Sequence, residues 1–383
     1  MANHPIQLLL VVIDLAGGTG TFCRALAGGL RRFYADEFDL TLLLLRARGV
    51  KPGDEQLFSR IHVIKTEVHT DWRRLFETPV HAWRLRRALK SIDSDLVLTV
   101  STYANLLVPL VSPGRRVIQS VHTNTTEQLK GSRFAGLIGR LMRWRYPKRA
   151  IVVPTRGVAE DLQRNYGVAG AKVIPHGVDA EAIRAMAAEE VADVAPGRPY
   201  IVACGRLTAQ KDYPTLLEAY AMARRRGVEE DLVIIGDGEE KERLERMAQR
   251  LSVGGAVHFL GHRDNVFPYM QRARFFVLSS IWEGFGLVLL EAMSLGLPVV
   301  ATDCPSGPAE ILDNGRYGLL SPVRDSAALS EAMVSLGASQ ELRESLSRQS
   351  RLRAQELSIE RMAREYRELF ISELTRWHDP IIG

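Results

Sequence analysis

Apolar runs alternate with helical patterns along this chain, and the same alternation occurs in both halves. The runs are almost continuously apolar instead of polar at every second position, as in Ile6–Ile13 and Leu40–Leu45. Such segments are typical of strands that are buried on both faces of a parallel sheet. Strands that alternate with helices form βαβ units. The sequence therefore predicts an α/β protein with parallel sheets of the Rossmann type.

The apolar runs also suggest two domains. Further strands of the first half are predicted at Leu96–Val100, Val117–Val121, Ala150–Pro154 and Lys172–Pro175, and those of the second half at Tyr200–Cys204, Leu232–Ile235, Val257–Leu260, Phe275–Leu278 and Pro298–Ala301. Residues 180–199 have little strand character, and a chain of 383 residues accommodates two such domains. We expect residues 1–180 and 199–358 to form two Rossmann-like domains that face a central cleft. The helix predicted within residues 359–383 is expected to cap the second domain or to pack back on the first.

The charge is distributed unevenly between the halves. Met1–Pro175 contains 26 Lys and Arg against 14 Asp and Glu, a net charge of +12, whereas the remaining residues have a net charge of −7. A strongly basic half indicates an anionic partner. No apolar stretch reaches the length of a membrane span, and the apolar N-terminal run lacks the features of a signal peptide. With three widely spaced cysteines and no CxxC pair, we expect a reduced cytoplasmic protein.

A basic pair follows the first strand of the second half. Gly205 and Arg206 come directly after Tyr200–Cys204, and Lys211 lies five residues further on. Ligands of open α/β sheets bind at the carboxyl ends of the strands. Two cations at that edge can hold a diphosphate and stabilise its growing charge when it leaves. The alternative is an ordinary solvated turn with two charged residues.

Two carboxylates and two glycines follow a later strand. Gly286 precedes a helix that is predicted from about Leu287 to Leu295, and free N–H groups at a helix start bind phosphate. Glu283 lies in the loop before that helix. Glu291 lies within it, in an otherwise apolar context, and a buried carboxylate there needs a partner. A helix cap with an incidental glutamate is the alternative.

These motifs occur in an order that resembles a known family. The motifs are Gly205-Arg-Leu207, Lys211-Asp212, Gly236-Asp-Gly238 and the Glu283-x7-Glu291 pair, together with Gly17-Gly18, Pro305–Pro308 and Glu310. In this order they resemble the retaining glycosyltransferase family 4, whose members have the GT-B fold, and the resemblance covers nearly the whole chain. The segment Asp303–Pro308 is similar to that of bacterial transferases that build surface polysaccharides on lipid carriers.

The resemblance implies roles for the residues of the second half. Arg206 and Lys211 match the family's diphosphate clamp. Glu283 matches the carboxylate that contacts the donor sugar, and Glu291 the carboxylate that binds ribose. Gly205 lets the backbone approach the donor closely. The backbone of the following loop is implied to meet sugar and phosphate, at Phe285, Gly286, Leu287 and Val288.

The resemblance also implies donor contacts from the first half. Gly17 and Gly18 match a loop that closes on the diphosphate, and His122 matches a histidine near the transferred sugar. Relatives often follow the two glycines with a polar or charged pair, whereas here the loop continues as Thr19–Phe22, so only the backbone role carries over. The residues themselves support a site at His122, because a polar cluster follows a buried strand. A histidine that caps a helix start is the alternative, and His176 is a weaker candidate for the same site.

No metal or cofactor is predicted. Asp93-Ser-Asp95 is a DxD sequence, but it precedes a predicted strand and so lies at the wrong end of the sheet for a ligand site. Turn chemistry explains it better. The two cations at Arg206 and Lys211 would replace a metal as electrophilic aid. The resemblance implies retention of configuration, and a front-face reaction is expected in which the leaving diphosphate takes the acceptor proton.

The basic half also contains a candidate membrane surface. Residues 130–149 carry seven basic residues and no acidic one, and the apolar residues Phe134, Leu137, Leu141 and Trp144 recur at helical spacing. A second basic segment contains Trp83 and Arg84–Arg87. Basic amphipathic helices with aromatic residues bind anionic membranes, which suits a lipid-linked acceptor and a peripheral location on the cytoplasmic face of the inner membrane. A core-facing helix with solvated arginines is the alternative. No nucleic-acid motif accompanies the charge.

Three other functions share some of these sequence features. A dinucleotide-dependent oxidoreductase is suggested by Gly17–Gly20, but the spacing is not GxGxxG and no acidic residue ends the second strand. A non-catalytic sugar-nucleotide binding protein would not need the complete set of clamp and carboxylates. A glycogen-synthase-like or phosphorylase-like enzyme shares the GT-B fold. A glycosyltransferase that uses a UDP- or GDP-sugar and a glycan or lipid-linked acceptor accounts for more of the residues.

Overall fold

The computed structural model describes residues 4–64, 73–130, 132, 135–190 and 198–376, and the side chains of these residues except 73–77 and 148. The chain divides into two compact units. The first unit contains Met1–Gly177 and Ile359–Gly383, and the second contains Val178–Ser358.

The first unit is built on a seven-stranded parallel sheet with the order β3-β2-β1-β4-β5-β6-β7. Its strands are β1 (Ile6–Val12), β2 (Phe38–Leu44), β3 (Arg60–Val63), β4 (Leu96–Val100), β5 (Val117–Ser120), β6 (Ala150–Val153) and β7 (Lys172–Val173). The helices between them are α1 (Gly17–Tyr34), α2 (Asp54–Leu57), α3 (Arg73–Ser91), α4 (Thr102–Val111), α5 (Thr125–Leu129), α6 (Ala135–Arg145) and α7 (Arg156–Tyr166). The central strands are buried on both faces, as continuous apolarity predicts.

The second unit is built on a six-stranded parallel sheet with the order β10-β9-β8-β11-β12-β13. Its strands are β8 (Tyr200–Cys204), β9 (Asp231–Ile235), β10 (Val257–Gly261), β11 (Phe276–Leu278), β12 (Val299–Thr302) and β13 (Leu319–Ser321). Its helices are α8 (Ala180–Ala187), α9 (Tyr213–Arg225), α10 (Lys241–Arg250), α11 (Phe267–Arg272), α12 (Leu287–Ser294), α13 (Pro308–Ile311), α14 (Ser326–Ala338) and α15 (Gln340–Glu356). The predicted class, two Rossmann-like parallel α/β sheets, is confirmed.

The C-terminal helix α16 (Ile359–Arg376) belongs to the first unit. It packs along α1, where a Cβ added to Gly29 would lie 2.9 Å from the Cβ of Ala363. Arg367 Nε also donates to Glu37 Oε2 at 2.7 Å. Tyr366 and Phe370 of the helix are fully buried. The last predicted helical residue, Trp377, lies outside the described residues.

Several local predictions are corrected by the structure. The glycines at 17–20 are not a turn before the helix, because α1 already begins at Gly17. Position 20 requires glycine although it lies in a helix, because α1 approaches the preceding loop closely. A Cβ there would lie 1.8 Å from the Leu15 carbonyl oxygen. Two edge strands, β3 and β13, were not predicted. β3 alternates exposed and half-buried residues, and β13 has only three residues, so neither forms an apolar run.

Candidate functional site

Three loops meet at the carboxyl edge of the second unit's sheet, after β8, β11 and β12. Gln210 Nε2 donates to the Trp282 carbonyl at 3.0 Å, and Ser279 Oγ donates to the Lys211 carbonyl at 2.7 Å. Thr302 Oγ1 donates to the Ser280 carbonyl at 2.5 Å. Side chains of these segments thus donate hydrogen bonds to backbone carbonyls of neighbouring loops. These bonds hold the loops that carry the predicted donor residues in place.

The structure brings two of the predicted residues into direct contact. Lys211 Nζ lies 2.5 Å from Glu283 Oε1, and both side chains are mostly buried, with exposed fractions of 14% and 9%. Ser280 Oγ donates to the same carboxylate oxygen at 2.7 Å. A mostly buried ion pair is stable when a further hydrogen bond, here from Ser280, also reaches the carboxylate oxygen. An anionic ligand that binds Lys211 has to compete with Glu283.

Arg206 has a different environment from Lys211. Its side chain is exposed, and it makes no hydrogen bond or ion pair with any residue in the described part of the chain. It follows Gly205, whose carbonyl accepts a hydrogen bond from the Tyr213 hydroxyl at 3.1 Å. A cation on a fixed backbone can bind an anion without first breaking an internal contact.

The helix start at Gly286 has the predicted form. Gly286 is the N-cap of α12 with a φ of 94°, a left-handed conformation that favours glycine. Leu287 and Val288 form the half-buried first turn of α12, and Phe285 is buried before it. The loop is tightly packed, since a Cβ on Gly307 would lie 2.2 Å from the Phe285 carbonyl oxygen. The first turn of a helix leaves N–H groups available to an anion.

Glu291 lies on α12 in apolar surroundings. Burial raises its pKa to about 7, because the charged form loses its hydration. Burial also raises the pKa of Cys204 to about 12, and the charge of Glu291 adds to this effect, so the two groups lie near each other at the end of β8. A carboxyl group with such a pKa can lose its proton near neutral pH and then accept hydrogen bonds from hydroxyl groups of a ligand.

The predicted residues of the first unit lie at the carboxyl edge of its own sheet. Gly17 and Gly18 are exposed in the first turn of α1, and a Cβ at either position would have no atom within 4 Å. The backbone there is open to a ligand. His122 lies two residues after β5, and His176 lies three residues after β7.

His122 and His176 form a pair that the sequence indicated only in part. Nδ1 of His122 and Nε2 of His176 are 3.1 Å apart, and their ring planes differ by 17°. Phe22 covers both rings, with centroid distances of 4.2 Å and 4.8 Å. Burial lowers the pKa of His122 to about 3 and also lowers that of His176, so both rings are neutral near pH 7. Phe22 was not predicted as a site residue, although the loop Thr19–Phe22 departs from the family pattern.

The DxD sequence at Asp93–Asp95 lies at the amino edge of the first unit's sheet. Asp95 Oδ2 accepts a hydrogen bond from the Gln7 N–H at 2.8 Å, next to the start of β4. The carboxylate therefore ties two strands together, as the turn interpretation expects. In the described part of the chain, no three His, Cys, Asp or Glu residues are grouped so that they could hold a metal ion. Metal independence stays a prediction.

The basic helices expose apolar side chains. On α6 the inward residues are Gly139 and Met142, whereas Leu137 and Trp144 are 61% and 57% exposed. Leu137 and Trp144 therefore do not face the core, whereas Met142 of the same helix does and Ile138 packs beside it. Trp83 on α3 is 59% exposed. Phe134 and Arg133 lie outside the described residues. None of the described helices combines the length and the apolar content that crossing a bilayer requires.

The comparisons with known proteins agree with this geometry. The family model described as Glycosyltransferase Family 4 matches residues 16–182, and the one described as Glycosyl transferases group 1 matches residues 188–353. Together they span both units. The chain is a glycosyltransferase with the GT-B fold. Its first unit matches Glycosyltransferase Family 4 and its second unit matches Glycosyl transferases group 1.

Individual relatives are similar over long stretches. The chain is 28% identical over 279 residues to the N-acetylgalactosamine-N,N'-diacetylbacillosaminyl-diphospho-undecaprenol 4-alpha-N-acetylgalactosaminyltransferase of Campylobacter jejuni, which covers 72% of this chain and 75% of that protein. It is 35% identical over 151 residues to the lipopolysaccharide core biosynthesis glycosyltransferase LpsE of Rhizobium meliloti, which covers 39% and 43%. The structure of Anabaena HepE in complex with UDP and glucose superimposes with a TM-score of 0.80, at 17% identity, over 96% of this chain and 100% of that one. This last likeness concerns the fold alone.

Proposed function

We propose that this protein transfers a sugar, with retention of configuration, from a UDP- or GDP-sugar to a lipid-linked glycan in the synthesis of a cell-surface polysaccharide. The observation that carries the donor half of the proposal is the exposed Arg206 beside the Lys211–Glu283 pair, at the same sheet edge as the helix start at Gly286. The Campylobacter relative is named for an undecaprenol diphosphate acceptor and the Rhizobium relative for lipopolysaccharide core synthesis, which supports the acceptor class.

The proposed reaction needs charge stabilisation more than a protein nucleophile. The bond between the anomeric carbon and the diphosphate breaks while the acceptor hydroxyl oxygen attacks the same face of the sugar. The acceptor's proton passes to the departing diphosphate oxygen. Arg206, Lys211 and the N–H groups at the start of α12 stabilise the negative charge that develops on this leaving group. No metal ion takes part in the proposed step.

In the proposed reaction, the Lys211–Glu283 pair links binding of the diphosphate to binding of the sugar. When the diphosphate draws Lys211 away, Glu283 loses its counter-charge but keeps the Ser280 hydroxyl. A carboxylate in that state accepts hydrogen bonds from sugar hydroxyls. Glu291 accepts hydrogen bonds from the ribose hydroxyls. Binding of the diphosphate and of the sugar are therefore coupled through one ion pair.

A donor screen tests the proposed activity. Purified protein is incubated with UDP- and GDP-sugars and with undecaprenyl diphosphate glycans, and the anomeric configuration of the product is read by NMR. Formation of a product with the donor's configuration, in the presence of EDTA, is expected. An inverted product would refute retention. Donor binding without transfer to any glycan would leave a sugar-nucleotide binding protein.

We further propose that the first unit binds the anionic cytoplasmic surface of a membrane through α3 and α6. Both helices expose a tryptophan among arginines, Trp83 with Arg84 and Arg87 on α3 and Trp144 with Arg140 and Arg143 on α6. Exposed aromatic side chains surrounded by cations suit an interface in which rings enter the headgroup layer. Such an interface would bring a lipid-linked acceptor to the enzyme.

Vesicle flotation tests this surface. The wild type is expected to float with vesicles that contain anionic phosphatidylglycerol and not with neutral phosphatidylcholine vesicles. The W83A/W144A double variant should lose most of this binding. L352A is the matched control, because Leu352 is similarly exposed on α15 of the second unit. Equal flotation of wild type with both vesicle types would overturn the proposal.

A further inference from the structure

A depression on the surface of the second unit is lined mainly by arginines. It has a volume of about 350 Å³, and its basic residues are Arg274, Arg343, Arg348 and Arg351. The unit as a whole is acidic, since Val178–Ser358 contains 20 Lys and Arg against 26 Asp and Glu, a net charge of −6. Four arginines are therefore concentrated at one place against the charge of the unit, which points to an anionic ligand.

The depression lies at the amino edge of the sheet. Arg274 lies two residues before β11, and Pro298, which also lines the depression, directly precedes β12. The candidate donor residues Gly205 and Glu283 instead follow the carboxyl ends of β8 and β11. The depression and the candidate donor site are therefore at opposite edges of one sheet.

The arginines of α15 are held in place by the protein. Arg343 Nη1 donates to the Gly337 carbonyl at 2.9 Å and to a second carbonyl in the last turn of α14. Arg351 Nη1 donates to Ser347 Oγ at 3.2 Å. The Arg351 guanidinium also packs on the backbone at Gly296, where an added Cβ would lie 2.5 Å from Cζ. Arginines that are fixed in this way lose less conformational entropy when an anion binds than solvated arginines do.

The charge balance of the depression suits a doubly charged anion. Glu344 also lines it, with Oε1 accepting from Gln340 Nε2 at 2.9 Å, and Glu230 Oε1 lies 3.5 Å from Arg274 Nη1. These two carboxylates offset two of the four guanidinium charges. Arg348 is exposed and makes no hydrogen bond or ion pair with any residue that the structure describes. The remaining two positive charges match a phosphate monoester, which carries about 1.5–2 negative charges near pH 7.

We propose that this depression binds a phosphate monoester through Arg343, Arg348 and Arg351, as part of either a soluble compound or a lipid headgroup. A guanidinium has five N–H donors in a planar fork that matches phosphate oxygens, and the internal bonds of Arg343 and Arg351 use only some of them. The volume suits a phosphate with a small organic group. The inference is independent of the proposed function, because no candidate donor residue lines the depression.

Calorimetric titration with glycerol 3-phosphate tests the soluble form of the ligand. The wild type is expected to bind it, and R348A/R351A should lose about tenfold to a hundredfold in affinity, because two charge-assisted contacts are removed. R206A/K211A, which alters the candidate donor site, should bind as the wild type does. R246A/R250A is the matched control, since it removes two exposed arginines of α10, and it should change the affinity less than about twofold. Equal weakening in R246A/R250A would overturn the proposal, because it would reduce the effect to the general charge of the unit.

Vesicle flotation tests the lipid form of the ligand. Vesicles with phosphatidic acid, whose headgroup is a phosphate monoester, are compared with phosphatidylglycerol vesicles of matched total charge. The protein carries W83A/W144A, so that the exposed tryptophans of the first unit do not contribute. Preferential flotation with phosphatidic acid that R348A/R351A abolishes would identify a lipid headgroup, and binding of glycerol 3-phosphate without this preference would identify a soluble compound. The proposal is overturned if the wild-type depression binds neither probe, or if folded R348A/R351A binds as tightly as its parent.

Discussion

The two units prepare for a ligand in opposite ways. In the second unit, a lysine, a glutamate and a serine hydroxyl are in contact with one another, so charge is balanced inside the protein before any ligand arrives. In the first unit, two histidines that burial keeps neutral lie under a phenylalanine and in contact with each other. The difference suggests a division of labour. The second unit offers charged groups to a ligand, whereas the first unit offers neutral rings.

The two candidate sites should respond differently to mutation. Breaking a balanced charge pair leaves one buried charge without a partner, which is costly and also changes ligand affinity. Removing a neutral hydrogen bond costs less and affects mainly orientation. Substitutions in the second unit should therefore have larger effects on donor binding than substitutions in the first.

The largest effect is expected for the free cation. Arg206→Ala removes a cation that no described residue neutralises, and it should lower kcat/KM about a hundredfold to a thousandfold. Steady-state kinetics with the identified donor measures this. Arg225→Ala on α9, which removes an exposed arginine of the same unit, should leave kcat/KM within twofold. Equal losses in the two variants would show that Arg206 acts only through the general charge of the unit.

Breaking the Lys211–Glu283 ion pair should have a smaller effect, which raises nucleotide affinity but lowers kcat. Glu283→Gln releases Lys211 from its counter-charge, so the affinity for UDP or GDP alone should rise several-fold. At the same time kcat should fall about tenfold to hundredfold, because the amide is a poorer acceptor for a sugar hydroxyl. Calorimetric titration with nucleotide diphosphate and turnover kinetics give the two numbers. A loss of nucleotide affinity in this variant would refute the coupling of Lys211 to Glu283.

A pH dependence is expected from Glu291. Its pKa is raised to about 7 by burial, so the carboxyl is protonated below neutral pH and ionised above it. The ionised form is the better acceptor for ribose hydroxyls, so nucleotide affinity should increase as the pH rises from 6 to 8, by up to about tenfold. Glu291→Gln should bind weakly with a flat profile. An unchanged slope in this variant would assign the titration to another group.

The smallest effect is expected at the helix start. Gly286→Ala places a side chain at a φ of 94°, which should destabilise the protein by about 1–2 kcal/mol in urea unfolding. The site around it has room, since the nearest atom to the added Cβ would be 3.8 Å away. Nucleotide affinity should therefore fall only a few-fold. A loss as large as that of Arg206→Ala would mean that the backbone at Gly286 contributes more than the cation.

The fold, and the place of the second unit's candidate residues at one sheet edge, were largely predictable from the sequence, for a physical reason. Buried parallel strands are short apolar runs, and charged residues and glycines that directly follow such a run lie at the carboxyl edge of the sheet, as Arg206 and Gly286 do. Edge strands such as β3 lack that signal because they are half exposed. The contact between Lys211 and Glu283 joins residues that are 72 positions apart, and no local pattern encodes it.

The first unit was harder to predict because its site consists of rings that pack together. Phe22 looks like an ordinary core residue of α1, and His176 shows no spacing that relates it to His122. Met362 and Tyr366 of α16 lie next to this cluster, and α16 returns to the first unit after the whole second unit. The orientation of α6 was equally hidden, since Leu137 and Trp144 have the spacing of a core stripe but are exposed.

In the proposed function, the second unit binds a nucleotide diphosphate through Arg206 and Lys211. Calorimetric titration of UDP, GDP and NAD into the wild type and into R206A/K211A tests it most directly. We predict that the wild type binds UDP or GDP without added metal and that the double variant loses at least a hundredfold in affinity, while it unfolds at a lower temperature but still cooperatively, because Glu283 loses its partner. Binding of NAD alone, or undiminished nucleotide binding by the folded double variant, would contradict the claim.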